Sequence, residues 1–255
     1  MRGVMNNTSH NTSWESSHKW YDCLVGEKGH YYHEHVVLPH SLKLLSLKQG
    51  DSLLDLGCGQ GILSRHIPPQ IDYVGVDASP SLIKQAKQRS QKPFHIGDIT
   101  KPLNLKAEPF SHAALILVLQ NIEDHEKALQ NAASALKSGG KLLIVLNHPC
   151  FRIPRQSNWG EDALKKLQYR RLDLYMSSLK IPIQTNPGAG EKSATTWSFH
   201  HPLSVYVEAL SKSGFVIEKM EEWISDKKST GAKARMENRS REEFPLFLAI
   251  LGVVK

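Results

Sequence analysis

Leu53-Leu54-Asp55-Leu56-Gly57-Cys58-Gly59-Gln60-Gly61 is the stretch that decides the fold. Ser52–Leu56 reads as a short buried strand that runs into glycines at alternate positions, and Ile62–His66 reads as the opening of a helix closed by Pro68-Pro69. Glycine allows positive φ and lets a ligand come close to the main chain. Working outward, Tyr73–Val76 is a second strand ending at Asp77. Ser79 and Pro80 then supply the cap and first position of a helix reaching Arg89. Phe94–Ile96 is a third strand and Ala113–Leu119 a fourth. A helix over Asp124–Leu136 ends at Ser138-Gly139-Gly140, and Lys141–Leu146 is the fifth strand. Strands alternating with helices predict an α/β, doubly wound, mostly parallel sheet with a ligand crevice at the carboxyl ends of its strands.

Acidic residues qualify that crevice. Asp77 stands 20 residues beyond Gly57, the offset at which a carboxylate takes ribose hydroxyls. Asp98, in Gly97-Asp98-Ile99, ends the third strand where it can reach an adenine amino group. The loop is not the dinucleotide fingerprint G-x-G-x-x-G, because Ile62 stands where its last glycine would fall. Asp55 at the mouth of the loop would repel a pyrophosphate and suits a ligand carrying an ammonium or sulfonium.

These motifs resemble those of the class I S-adenosylmethionine-dependent methyltransferases over roughly residues 33–147. Leu54–Gly61 is similar to the family's first motif, Val74–Ser79 to the second and Gly97–Ile99 to the third. Leu117–Ile122 is similar to the fourth and Leu136–Leu142 to the fifth. The resemblance implies a Rossmann-like seven-stranded sheet with an antiparallel last strand, and S-adenosylmethionine as cofactor, leaving as S-adenosylhomocysteine. It also implies cofactor contacts from Asp55, Gly57, Cys58, Gly59, Gly61, Asp77, Ala78, Ser79, Asp98, Ile99, Leu117 and Gln120. Gln120 departs from the histidine common in small-molecule members, and Ser138 from a usual proline. In many relatives a segment before the first helix closes over the cofactor, which nominates Tyr31 and Tyr32, beside His33.

The acceptor is less legible. Methyl transfer is an in-line displacement at a sulfonium, and a hydroxyl acceptor is helped by a base. His148, directly after the fifth strand, and His200 and His201, before a helix at 202–213, are the catalytic candidates. The Asn/Asp-Pro-Pro-aromatic motif of exocyclic-amine methylation is replaced by Gln120-Asn121-Ile122-Glu123, and Cys150 follows the fifth strand rather than the fourth. A small metabolite is therefore expected. RNA or a protein, or cofactor binding without turnover, are the alternatives.

Residues 148–200 occupy the position of a substrate-covering insertion, read with one helix around Asp162–Tyr175. Arg152, Arg155, Trp159, Tyr175 and Trp197 are its substrate-binding candidates. Phe215–Ile224 and Phe247–Val254 read as a final strand pair joined by a Lys/Arg-bearing loop over 225–243. The expected organisation is a tail at 1–17, a cofactor half at 18–147, the insertion at 148–200, and residues 201–255 completing the same domain.

Composition fits one domain. The chain has 255 residues, 40% hydrophobic and 22% charged, with a formal net charge of +7. No apolar run approaches the roughly 20 residues of a membrane span. Three cysteines without CxxC spacing predict neither disulfides nor a metal site and suit a reducing, cytoplasmic setting. Nothing in the sequence fixes an oligomeric state. Residues 148–200 hold eight basic and four acidic side chains, more than half of the whole excess. That placement suggests an anionic acceptor.

Overall fold

The computed structural model describes residues 14–27, 29–103, 105, 107–185 and 193–255. Of the expected tail, residues 1–13 lie outside the described residues, but Trp14–Ser17 form a 3-10 turn that continues into helix α1 (His18–Val25). A wide π turn over His33–Val37 leads into α2 (Leu38–Leu45). Pro39 follows directly on that π turn, so the continuous helical run over 31–45 changes pitch just before the residue that lacks an N–H.

Strand β1 (Ser52–Leu56) feeds the glycine loop. The expected helix beyond it shrinks to a 3-10 turn at Leu63–His66, ended by Pro68-Pro69. Next come β2 (Asp72–Asp77), α3 (Pro80–Arg89), β3 (Phe94–Ile96) and β4 (Phe110–Ile116). The Ser79 hydroxyl accepts the Leu82 amide and so caps α3. The fourth strand stops earlier than its apolar run because Leu117 turns left-handed, with φ +58°. Asp124 accepts the Lys127 amide and caps α4 (His125–Ala135), which passes into β5 (Leu136–Asn147).

The described residues of 148–200 hold no helix. They form two antiparallel hairpins, β6 (Ser157–Asp162) with β7 (Leu167–Leu172), and β8 (Leu179–Gln184) with β9 (Thr195–His200). Helix α5 (Leu203–Lys212), strand β10 (Phe215–Trp223), helix α6 (Ala234–Glu243) and strand β11 (Phe247–Val254) complete the chain. The basic loop expected at 225–243 thus contains α6. That helix is too polar to show an apolar stripe and is braced by Glu237–Arg241 one turn apart.

Seven strands make one sheet in the order β10-β11-β5-β4-β1-β2-β3. Strand β11 runs antiparallel to both neighbours, and the pairs β5–β4, β4–β1, β1–β2 and β2–β3 are parallel. Alternation along β1 sends Leu53 into the apolar layer beneath α2 and α3, and Leu54 and Leu56 into the layer with α4 and α5. All three are fully buried, each stabilising the fold by about 1.5–3 kcal/mol. Asp55 falls by the same alternation on the first face, so the architecture holds a carboxyl inside an apolar layer at the strand's end.

Candidate functional site

A cavity of about 930 Å³ lies at the carboxyl ends of β1, β2 and β4. The glycine loop forms its floor. The amides of Gly57 and Cys58 donate to the Val76 carbonyl at 2.7 and 3.0 Å, tying the loop to β2. Gly57 has φ +76°, and a β-carbon there would sit 2.5 Å from a Val118 methyl carbon. Gly59, at φ +54°, faces the Tyr21 ring, with room for a β-carbon only at 3.4 Å from its hydroxyl. A side chain at either position would obstruct the floor.

Asp77 organises the loop. Its carboxylate accepts the Gly59 and Ser79 amides, each at 2.8 Å. Burial raises its pKa in spite of those two donors. A carboxylate has about four acceptor sites, so capacity remains for a ligand. Asp55 is buried, takes a 2.6 Å hydrogen bond from the Tyr73 hydroxyl, and is pushed up to about 7 by burial, with Asp77 adding to the effect. Asp98 is also partly desolvated, but the amide and hydroxyl of Thr100, at 2.9 and 2.7 Å, hold its carboxyl below the usual range.

On the opposite wall the left-handed Leu117 offers its carbonyl to the side-chain amides of Gln120 and Asn121, at 3.1 and 3.2 Å. A non-glycine residue in this region costs on the order of 1–3 kcal/mol and tends to stand at functional sites. Three buried polar atoms on the cavity wall have no hydrogen-bond partner among the described residues: His33 Nδ1, Gln120 Oε1 and Thr196 Oγ1. Burial pushes the His33 imidazole down to about 4, with His30 contributing, so it is neutral at pH 7.

The N-terminal segment roofs the cavity through Trp14, Tyr21, Leu24 and Val25. Glu15 accepts from the Ser79 hydroxyl and from the Ser81 amide and hydroxyl, and so clamps the segment to the start of α3. Arg89 pairs with Asp22 and donates to Gln60. The buried Ser17 and Thr185 hydroxyls meet at 2.9 Å, joining this roof to the β8–β9 hairpin.

Of the residues read from sequence as cofactor contacts, Asp55, Gly57, Cys58, Gly59, Asp77 and Ala78 line the cavity, as do Asp98, Ile99, Leu117 and Gln120. Gly61 packs on Phe94 instead, and Ser79 caps α3. Tyr31 donates to Asp226, while Tyr32 packs on Phe247 and meets Ser225. The covering aromatics are Trp14 and Tyr21. Trp14 falls within the stretch 1–17 that reads as tail from sequence.

None of the three histidine candidates lines the cavity. His148 accepts the Cys150 amide at Nδ1 and faces Glu222 from Nε2 at 2.7 Å, so both ring nitrogens are engaged. His200 donates to the Tyr175 carbonyl at 2.8 Å, and His201 meets Ser178 and lies at a tilt against the His125 ring. The insertion candidates also point elsewhere. Arg152 lies over Phe247, Trp159 under Arg170, and Trp197 under Lys180. Tyr175 bonds Cys150 and Leu203, and Arg155 is exposed. From 148–200 the cavity receives Pro154, Ile183, Thr196 and Ser198 instead. Among its described lining residues are five carboxylates, Asp55, Asp77, Asp98, Glu123 and Asp124, against one lysine, Lys101, which pairs with Asp98. No basic side chain of the insertion lines the cavity among the described residues, and Lys180 is paired with Glu123 on its wall.

Residues 54–144 match the family model described as methyltransferase domain. The fold is similar to that of an S-adenosylmethionine-dependent methyltransferase from Mesorhizobium loti, with a TM-score of 0.66 and 23% identity, covering 86% of this chain and 99% of that one. Residues 54–144 thus carry a methyltransferase domain, and the fold is that of the class I S-adenosylmethionine-dependent methyltransferases. Among curated methyltransferases it is 32% identical over 164 residues to the 2-phytyl-1,4-naphtoquinone methyltransferase of Nostoc punctiforme, covering 60% of this chain and 66% of that protein. It is 32% identical over 119 residues to the ubiquinone biosynthesis O-methyltransferase of Coxiella burnetii, covering 43% and 50%. The chain thus spans less than two thirds of the length of these relatives. The cofactor of class I methyltransferases fits the cavity. Gly57 and Gly59 line it without side chains, and its two desolvated acids, Asp55 and Asp77, suit a ligand that carries positive charge. No helix among the described residues is long and apolar enough to cross a membrane.

Proposed function

We propose that the chain transfers a methyl group from S-adenosylmethionine to a small, uncharged molecule held beneath the roof. The supporting observation is one cavity that joins a glycine–acid floor to a wall with unpartnered polar atoms, at about 930 Å³. Small-ligand sites span roughly 300–1,000 Å³, so there is room for the cofactor and a second small molecule. The two quinone-pathway relatives agree with an acceptor of that kind. A polyanionic acceptor finds no support in this wall, since Arg152 and Arg170 lie over ring faces outside it and Lys180 is already paired with Glu123.

In this reading the glycine loop and Asp55 hold the amino-acid end of the cofactor, Asp77 the ribose, and Asp98 with Ile99 the adenine. Bound there, S-adenosylmethionine supplies an electrophilic methyl group on a sulfonium. Trp14 and Tyr21 exclude water. His33, neutral and with Nδ1 unpaired, takes the proton released by a hydroxyl acceptor.

Two measurements test this. Asp77→Asn keeps one acceptor for the loop amides but loses the charge, and calorimetry should show S-adenosylhomocysteine binding weakened by about 1–3 kcal/mol. Unchanged affinity in a folded variant removes the ribose assignment. The second concerns His33. Above pH 6.5 its imidazole is neutral whether the chain is folded or not. Below that pH the unfolded chain takes a proton that the folded chain, with a pKa of about 4, refuses. Stability at this site is therefore lost as pH falls from 6.5 to 4, by up to about 3 kcal/mol. Urea titrations at pH 7.5 and 4.5 should show His33→Gln losing less stability over that interval than the wild type. Equal losses would place the unpaired imidazole in solvent.

A further inference from the structure

We infer that Thr196 and Gln120 form the polar end of the methyl-acceptor subsite, built for an uncharged hydroxyl- or amide-bearing molecule and closed to carboxylates and phosphates. This rests on the proposed placement of the cofactor along the glycine loop, and adds the acceptor's chemical class. Thr196 is 2% exposed and Gln120 9%, yet Oγ1 of the first and Oε1 of the second have no partner among the described residues. A buried polar atom left unpaired costs about 1–3 kcal/mol. Two on one cavity wall mark a place where a ligand completes the hydrogen bonding.

The two residues come from distant parts of the chain. Strand β9, which carries Thr196, packs against the turn Leu119–Asn121 that carries Gln120. The orientation of the Gln120 amide is fixed, because Nε2 donates to the Leu117 carbonyl and Oε1 is left as the free end. Gln120 Oε1 can only accept, whereas the Thr196 hydroxyl can donate. A ligand hydroxyl or primary amide satisfies both at once, giving its hydrogen to Gln120 and accepting from Thr196. A carboxylate has no hydrogen for Gln120 Oε1 and would meet it lone pair to lone pair.

The surrounding charge acts in the same direction. Glu123 and Asp124 line the cavity just beyond Gln120, paired with Lys180 and Lys127, and Lys101 is held by Asp98. An anion entering this partly desolvated site loses hydration and meets no lysine that is not already paired with a carboxylate. Pro154 and Ile183, both on the wall, leave an apolar surface for the body of the acceptor.

The test uses the full chain saturated with S-adenosylhomocysteine and three ring probes of similar size: phenol, benzamide and benzoate. Binding is read by NMR shifts, the Thr196 methyl signal included. Phenol and benzamide should bind in the millimolar range, with benzoate at least tenfold weaker. Thr196→Val, of matching shape, should weaken phenol and benzamide about tenfold and leave S-adenosylhomocysteine affinity within twofold. Gln120→Leu should weaken the neutral probes and narrow their advantage over benzoate. Benzoate binding as well as phenol, neutral probes unaffected by Thr196→Val, or no neutral probe binding at all would each overturn the subsite while leaving the cofactor reading intact. Failure of S-adenosylhomocysteine to bind would overturn both.

Discussion

Asp55→Asn stabilises the chain at pH 8 by about 2–4 kcal/mol, and the gain vanishes by pH 4. The carboxyl of Asp55 has a pKa of about 7 in the folded chain because it lies buried at the end of β1. In an unfolded chain an aspartate ionises near 3.9. The folded state therefore holds its proton more tightly. The stability this contributes is present below pH 3.9 and is lost as pH rises through 7. About three pKa units correspond to roughly 4 kcal/mol, reduced somewhat by the imperfectly paired asparagine amide. The Tyr73 hydroxyl can still donate to the asparagine carbonyl, so the fold is kept.

The cofactor experiment runs in the opposite direction. A ligand carrying positive charge favours the carboxylate, so wild-type affinity for S-adenosylmethionine should rise up to about tenfold per pH unit below 7 and level off above it. The variant should bind weakly at every pH. Urea titrations at pH 8 and pH 4 with calorimetry across pH 6–8 measure both effects. An equal stability difference at the two pH values would show that Asp55 ionises normally. Together the two results would make this position one where stability has been given up for binding.

The second large effect belongs to Gly57. Gly57→Ala should destabilise the chain by about 2–4 kcal/mol, adding the left-handed backbone penalty to overlap with a packed side chain. The overlap is specific, since both Val118 methyl carbons lie within 2.6 Å of where the new carbon would stand. Val118→Ala in the same chain should therefore recover about 1–2 kcal/mol, a coupling a double-mutant cycle measures directly. Absence of coupling would assign the whole loss to the backbone.

The sheet was legible because its strands are short apolar runs separated by glycines, prolines and capping residues, each with one local meaning. The segment 148–200 was not. Strands β6 and β7 pair mainly with one another, and Trp159 and Tyr169 remain exposed, so no buried face imposes a clean alternation. Without that alternation, Asp162–Tyr175 resembles a polar helix. The floor of the site followed from Asp55, Gly57, Asp77 and Asp98 because those residues hold their place through the strand ends. The wall and roof depend on contacts between distant residues, such as Ser17 with Thr185, that no local pattern announces. The charge count behind the anionic-acceptor expectation does not carry over to the cavity, for a related reason. Counting charge along a segment gives its sum, but Arg152 and Arg170 turn toward aromatic rings and away from the cavity.

The place of β11 has a consequence for how the chain is made. It lies between β5 and β10, although its residues, Phe247–Val254, come last of all the strands. The side of β5 that β11 covers, whose last residue is Asn147, therefore waits for about a hundred further residues. At ribosomal speeds of about 5–20 residues per second, that is on the order of 5–20 seconds. For that time the nascent chain carries an unpaired apolar edge rich in Leu, the kind of edge that recruits other strands. Yield during synthesis should depend on that interval, through chaperone supply and translation rate, more than on the stability of the finished sheet.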